Sequence, residues 1–355
     1  MKSTSRDLLA CTLRSPDSVS RFSSSEWDTL VRQARAAGLL ARLAHRFHQH
    51  GLTATIPGVA RWHFDAARTL ADKQRTAVCW ELQQIRAALA DLDGPLIVLK
   101  GAAYVAAGLP AAEGRLFNDI DILVPREHLP QAESSLMLAG WHASGLSEYD
   151  KRYYRRWMHE TVIDVHHAIL PDTARYHPDS AKLRSRAVAV KGLPGVYVLA
   201  AEDRILHSAA HLFHDGELPH GLRDLTDLDL LLRDAAADRE FWPRLAARAG
   251  ELQLSRPLFY ALRYLRHFLD TPIPAGMMAT LDGAAPNRAT LALMDGIFKR
   301  ALAPAHASCA DAFTPAARLA AFIRAHWLRM PPRLLIPHLL HKALVSPHQR
   351  APKPA

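Results

Sequence analysis

Residues 119–124 alternate acidic and aliphatic side chains before an apolar end, in the order Asp-Ile-Asp-Ile-Leu-Val. Successive side chains of a β-strand point to opposite faces, so Asp119 and Asp121 share one face while their aliphatic neighbours face the core. Two carboxylates on one face suit a hard divalent cation such as Mg²⁺, which prefers oxygen ligands. Because Asp-x-Asp also occurs by chance in strands and turns, the metal site depends on what surrounds the motif.

The segment upstream of this motif predicts a strand, a tight turn and the start of a helix. Residues 95–99 form an apolar run, and Lys100-Gly101 is followed by small residues that favour a helix. Backbone N–H groups at such a turn can face an anion, Gly101 allows close approach, and Lys100 supplies a positive charge for phosphate. The alternative is an ordinary strand-to-helix loop that binds nothing.

A third carboxylate, Asp164, interrupts the apolar order Thr-Val-Ile-Asp-Val-His of residues 161–166. The β-branched residues favour a strand, in which an unpaired carboxylate is costly. We therefore expect Asp164 to contact a metal or another cation. Of the two histidines that follow, one lies on the same face of the strand as Asp164 and the other points away.

Together these motifs resemble the uncharacterised nucleotidyltransferase family, which belongs to the DNA polymerase β-like superfamily. The resemblance implies an α+β fold, in which a small mixed β-sheet forms a nucleotidyltransferase core with N-terminal helices and a C-terminal helical domain. The resemblance extends more loosely over most of the chain, and residues 202–228 resemble the family's helical half. The segments that carry it are Leu99-Lys100-Gly101, Arg115, Asp119 to Val124, Gly140-Trp141 and Ile163-Asp164-Val165-His166.

The resemblance also implies an activity, the metal-dependent transfer of a nucleoside monophosphate from an NTP to an acceptor hydroxyl or phosphate. Two Mg²⁺ (or Mn²⁺) ions would hold the triphosphate and activate the acceptor. The acceptor is unidentified, and the modest charge outside the C-terminal tail favours a small molecule or protein over a long nucleic acid. The implied catalytic metal ligands are Asp119, Asp121 and Asp164, and the implied nucleotide and phosphate site is Lys100, Gly101 and Arg115.

The helical half adds candidate pocket residues and two alternative functions. The resemblance places His211 and Asp227 at the cleft, and His166 lies near the acceptor. Since His207, His211 and His214 share one helix face at a spacing that metal ligands can use, a metal-dependent phosphohydrolase is a weaker hypothesis. The other alternative is a non-catalytic nucleotide-binding protein with the same fold, although three carboxylates, a lysine and an arginine together favour an enzyme.

Apolar periodicity predicts how the 355 residues are organised. Helices are expected at 26–47, with a break at Gly38 and a stop at Gly51, at 59–92 and at 127–138, and two strands at 187–191 and 196–199. The buried stripe of the second helix would be Trp80, Leu82, Ile85, Leu89 and Leu92. The predicted units are an N-terminal helical region at 1–92, the core at 93–200, a helical domain at 201–311 and a basic amphipathic tail at 312–355.

Composition excludes several classes of protein. The chain has no apolar run of about 18 uncharged residues and no secretory signal pattern, so we expect a cytoplasmic protein. Its three cysteines, Cys11, Cys79 and Cys309, are isolated and odd in number. That pattern fits reduced thiols and excludes a zinc knuckle or a disulfide framework.

Most of the net charge of +9 lies in the tail, where seven Lys or Arg residues and no acidic residue follow Asp311. These cations alternate with Phe322, Trp327 and several leucines around Pro331-Pro332. The pattern predicts peripheral contact with an anionic surface, whether a membrane or a polyanion. The alternative is a terminal helix that docks on the core with solvated arginines.

A second basic segment, residues 149–157, mixes lysine and arginine with tyrosine and tryptophan. Such residues can stack a base and neutralise phosphate, as in proteins that bind single strands. Because the run is short, a solvated hairpin beside the pocket is favoured.

Overall fold

The computed structural model describes residues 5–117, 119–146, 150–155, 158–214, 216, 218–331 and 333, and it shows an α+β fold. Four α-helices precede the first strand: α1 (Leu8–Arg14), α2 (Ser24–Ala36), α3 (Leu40–Gln49) and α4 (Gly58–Ala88). Gly38 and Gly51 follow α2 and α3 with φ of +67° and +68°, a conformation that glycine adopts without strain. The predicted break at Gly38 and stop at Gly51 are therefore confirmed.

The long helix α4 is confirmed, but two members of its predicted buried stripe are wrong: the helix ends at Ala88, so Leu92 lies beyond it and is only partly buried, and Trp80 faces solvent. Val78, Leu82, Ile85 and Leu89 are buried at successive spacings of four, three and four residues, which place them on one face. Trp80 is 40 % exposed. Its position is two residues from both Val78 and Leu82, about 200° around the helix, and it therefore faces away from the core.

The described strands form one seven-stranded mixed sheet. The strands are β1 (Leu96–Leu99), β2 (Asp119–Leu123), β3 (Trp141–Leu146), β4 (Asp150–Arg155), β5 (Met158–His166), β6 (Val188–Ala189) and β7 (Val196–Val198). Their order across the sheet is β3-β4-β5-β2-β1-β7-β6. Strand β2 lies at the centre, antiparallel to β1 and parallel to β5, and β7 pairs with β1 in parallel. Helices α5 (Lys100–Ala106), α6 (Leu129–Leu138) and α7 (Ser180–Ser185) connect the strands.

The predicted basic and aromatic hairpin coincides in part with strand β4, which pairs antiparallel with both β3 and β5. The backbone of residues 150–155 therefore belongs to the sheet. Tyr149, Arg156 and Trp157 lie outside the described residues.

The rest of the described chain is helical. Its helices are α8 (Ala201–His214), α9 (Gly221–Ala235), α10 (Phe241–Glu251), α11 (Ser255–Leu269), α12 (Ala275–Thr280), α13 (Arg288–Ala301) and α14 (Thr314–Arg329). A continuous buried cluster runs from Leu8 through the sheet to Ala321, so the terminal helices share a core with the strands. None of the described helices is long and apolar enough to span a bilayer. The predicted tail from residue 334 onward lies outside the described residues.

Candidate functional site

Strand pairing brings two of the predicted carboxylates side by side. In the parallel pair of β2 and β5, Asp121 lies opposite Asp164, and both side chains are buried. On its other side Asp121 pairs with Leu99, the last residue of β1. Burial on both faces explains the aliphatic residues around each aspartate, since a central strand of such a sheet is covered above and below.

A histidine completes this centre. His166 lies two residues after Asp164 on β5 and therefore on the same face, and its Nε2 is 2.7 Å from Asp121 Oδ1. One ligand atom from each of Asp121, Asp164 and His166 lies within 4.8 Å of the others, a spacing that can hold a metal ion. Two carboxylates and one imidazole fit a divalent cation, and the imidazole is also suited to Mn²⁺ or Zn²⁺.

Asp119 occupies the first position of β2, opposite Val162, and is partly exposed. It shares a face with Asp121 by alternation, but the group of close ligand atoms in the described residues does not include it. On the opposite face His167 contacts Arg126, whose Nη2 lies 2.7 Å from Nε2 of that histidine. The two adjacent histidines therefore diverge as the strand pattern predicts.

Lys100 contacts the same centre from the first position of α5, directly after β1. Its Nζ donates to Asp121 Oδ1 at 2.8 Å, and its backbone φ of +48° is uncommon for a residue with a side chain. Burial by itself would raise the pKa of Asp121, but the Lys100 charge and the His166 hydrogen bond hold that pKa well below its usual range. The Asp121 carboxylate is therefore ionised at neutral pH.

Gly101 makes room for Arg115. A Cβ atom on Gly101 would lie 2.1 Å from Nη1 of Arg115, so any larger residue would force the guanidinium to move. The same guanidinium lies over the rings of Tyr104 and Phe117, at 5.8 and 5.4 Å from their centroids. The space that Gly101 leaves open, which was predicted to admit a phosphate, is therefore filled by the Arg115 guanidinium.

Asp227 holds Arg115 in that place. Its Oδ2 accepts from Arg115 Nε at 2.7 Å, and its Oδ1 lies 2.8 Å from Nη2 of Arg42 on α3. Burial disfavours the charged form of Arg115, yet the Asp227 carboxylate outweighs burial, and the net effect raises the pKa of Arg115. Sequence reasoning placed Asp227 at the cleft but missed Arg42; the only signal was an arginine within the apolar order of residues 39–44.

Two histidines of α8 lie within electrostatic reach of Lys100 and Asp121. Burial lowers the pKa of His207 to about 3, and the nearby Lys100 charge adds to the effect. For His211 the Lys100 charge is the larger cause, followed by burial, and the pKa is well below its usual value. Both imidazoles are therefore neutral at pH 7 and can donate and accept hydrogen bonds.

The third histidine of the predicted metal-binding face does not join this centre. His214 Nδ1 donates to the Ala210 carbonyl at 2.8 Å, and its ring packs against Tyr176. Within the described residues the histidines of α8 form no metal-binding group with one another.

A mixed sheet with facing carboxylates on neighbouring strands, beside a lysine at a strand-to-helix turn, defines a nucleotidyltransferase-like core. The chain belongs to the uncharacterised nucleotidyltransferase family, whose family model matches residues 23–270. The match includes all of the candidate site residues described above. No curated protein and no solved structure matches the chain.

Proposed function

We propose that this protein transfers a nucleoside monophosphate from an NTP to an acceptor hydroxyl or phosphate, with Mg²⁺ or Mn²⁺ as cofactor. The observation that carries the proposal is the buried group of Asp121, Asp164 and His166, with Lys100 2.8 Å from Asp121, in a chain of a nucleotidyltransferase family. Carboxylates that bind a divalent cation beside a phosphate-binding lysine are the parts that phosphoryl transfer requires.

The carboxylates would hold the cation and the acceptor. Asp121 is ionised and oriented by two donors, so its oxygens are positioned as ligands before any substrate binds. Asp119 precedes it on the same face of β2 and would bind the triphosphate side. Asp164 would bind on the acceptor side and accept the proton of the attacking hydroxyl. A bound divalent cation would neutralise phosphate charge and lower the pKa of that hydroxyl.

The cations would position the triphosphate. Lys100 would exchange Asp121 for a phosphate oxygen, since its ammonium has three donors on a flexible stem. Arg115 is packed against Gly101 and tied to Asp227, and its fixed guanidinium would contribute positive potential and any donor that Asp227 does not use. The neutral His207 and His211 supply hydrogen-bonding groups on the side of α8, which suits a polar small molecule or a protein side chain as acceptor.

The test is transfer of label from α-phosphate-labelled NTPs in the presence of Mg²⁺ or Mn²⁺ and a cell metabolite extract. We expect pyrophosphate release together with a labelled, mass-shifted acceptor. Asp121→Asn and Asp164→Asn should each abolish transfer. Asp229→Asn is the matched control, because Asp229 is a buried aspartate paired with Arg233 on α9, outside the site.

The alternatives give different results in the same assay. Metal-dependent NTP binding without pyrophosphate release, measured by calorimetry, would support the non-catalytic protein instead. Inorganic phosphate release that survives Asp121→Asn but not His211→Asn would support the phosphohydrolase. Equal transfer by wild type and Asp121→Asn would contradict the proposal.

A further inference from the structure

The last described helix, α14, has two apolar faces, and the described residues cover only one of them. Ala317, Ala321 and Ala325 are buried at spacings of four residues, where α14 packs on α8 and α13. Arg324 anchors this face, because its Nη1 donates to the Phe213 carbonyl at 2.7 Å. Small residues and a partly buried arginine thus hold α14 against the protein.

The opposite face forms an exposed apolar stripe. Leu319, Ile323 and Trp327 are 59, 53 and 45 % exposed, and each lies two residues after a buried alanine, about 200° around the helix. Phe313, at the start of the helix, is 69 % exposed. Contiguous exposed apolar side chains on one helix face mark a surface that binds something.

The surroundings of the stripe are basic. Arg318 is exposed beside it, and the Arg175 guanidinium lies 4.3 Å from the Trp327 ring centroid. No acidic residue follows Asp311 in the sequence, and Asp311 itself pairs with Arg6 and Arg300. Asp172, close in sequence to Arg175, pairs with Arg126.

Another helix with exposed apolar residues lacks this charge pattern. Val59, Trp62 and Leu70 of α4 are exposed, but Asp65 and Asp72 lie in the same part of the helix. An apolar stripe with tryptophan and flanking arginines suits the boundary between lipid headgroups and acyl chains, where aromatic rings and cations both bind. A helix face that also carries carboxylates suits such a boundary less well.

We propose that the outer face of α14, the stripe of Leu319, Ile323 and Trp327, docks on an anionic lipid surface while its alanine face stays packed on the protein. Arg318 and Arg175, the exposed cations beside the stripe, would be attracted to the anionic headgroups of such a surface. The catalytic proposal does not depend on this contact, since the stripe lies on the side of α14 that faces away from the core.

Flotation of the full-length chain with lipid vesicles tests the proposal. We expect the protein to float with phosphatidylcholine vesicles that contain phosphatidylglycerol, to stay unbound with phosphatidylcholine alone, and to lose binding at about 0.5 M salt. The double variant Leu319→Glu/Ile323→Glu should lower the bound fraction about tenfold.

The control is Val59→Glu/Leu138→Glu, which adds the same charge at two positions that are 82 and 90 % exposed elsewhere. It should float like wild type, and circular dichroism should show both variants folded. The proposal is overturned if wild type fails to float with anionic vesicles, or if both double variants lose binding equally. It is also overturned if light scattering shows a wild-type dimer that Leu319→Glu/Ile323→Glu dissociates, because a second copy would then cover the stripe.

Discussion

At the scale of single residues, Asp121 is the carboxylate that the other side chains of the site contact. Its Oδ1 contacts both Lys100 Nζ and His166 Nε2, at 2.8 and 2.7 Å. A divalent cation bound at this carboxylate would therefore meet a positive charge only a few ångströms away. Two positive charges so close repel by several kcal/mol at an effective dielectric constant of about 20.

Lys100→Met should change the affinities for metal and nucleotide in opposite directions. Removal of the ammonium should strengthen Mn²⁺ binding at least about tenfold without nucleotide, because the repulsion is lost. It should weaken binding of a non-hydrolysable NTP about tenfold, because a charged hydrogen bond to phosphate is lost. Isothermal titration calorimetry measures both constants.

Lys299→Met on α13, a lysine 41 % exposed in its side chain, is the control and should leave both constants unchanged. A parallel loss of metal and nucleotide affinity in Lys100→Met would contradict the prediction. That result would mean that Lys100 supports the metal site instead of competing with the ion.

His166→Gln should remove a nitrogen signal from bound Mn²⁺. If imidazole binds the ion, pulsed electron paramagnetic resonance should detect nitrogen coupling in wild type and none in the variant. Metal affinity should fall about 10- to 100-fold. His167→Gln is the matched control, since that histidine directly follows the strand and contacts Arg126 on its other side. Nitrogen coupling that persists in His166→Gln would exclude His166 as the ligand.

At the scale of elements, helix α8 connects the site with the C-terminal helices. His207 and His211 lie near Lys100, while His214, one turn later, is buried at the end of the helix beside Tyr176. In the described part of the chain Nε2 of His214 has no hydrogen-bond partner. Protonation there would bury an unpaired N–H, so the folded protein resists it.

This burial makes stability depend on the charge of His214. Burial lowers its pKa from 6.5 to about 4 in the folded protein. As the pH falls, the unfolded chain therefore binds a proton at His214 before the folded protein does. The contribution of the neutral imidazole to the free energy of unfolding is complete above pH 6.5 and is lost as the pH falls towards 4. The slope should reach about 1.4 kcal/mol per pH unit.

Urea unfolding of wild type and His214→Asn between pH 7.5 and pH 4.5 measures the contribution of His214 to the free energy of unfolding. Asparagine keeps a donor for the Ala210 carbonyl but does not titrate. We expect the wild type to lose stability more steeply than the variant below pH 6.5. Two parallel pH profiles would show that His214 does not carry the effect.

At the scale of the whole molecule, Asp227 joins three parts of the chain. It pairs with Arg42 of the N-terminal helices and with Arg115 of the segment before β2, and it lies on α9 of the C-terminal helices itself. All three side chains are largely buried. The ion pairs therefore tie the position of Arg115 beside Gly101 to the packing of both helical regions.

Asp227→Ala should destabilise the protein by about 3–5 kcal/mol, because it leaves two buried arginines without their counter-ion. Asp65→Ala, at an exposed position within α4, should cost less than about 1 kcal/mol. The free energies of unfolding in urea give both values. A cost below 1 kcal/mol for Asp227→Ala would mean that solvent or other groups satisfy the arginines.

Local patterns predicted much of the fold. The alternation at residues 119–124 gave the correct strand, and the glycines at 38 and 51 marked the ends of helices α2 and α3. The predicted burial of Trp80 on α4 was wrong. The size and hydrophobicity of tryptophan suggested burial, but the helical period places Trp80 on the face opposite Leu82. The roles of the candidate site residues stay predictions until the variants are measured.

The sequence by itself determined which residues share a face of a strand or helix, since that depends only on the local period of the backbone. It thus determined that Asp119 and Asp121 lie together, and that His166 lies with Asp164. Only the tertiary structure decided that Asp121 faces Asp164 and that Arg115 meets Asp227, 112 residues away. Strand register and buried ion pairs are contacts between distant segments, and a local pattern carries no information about which segments meet.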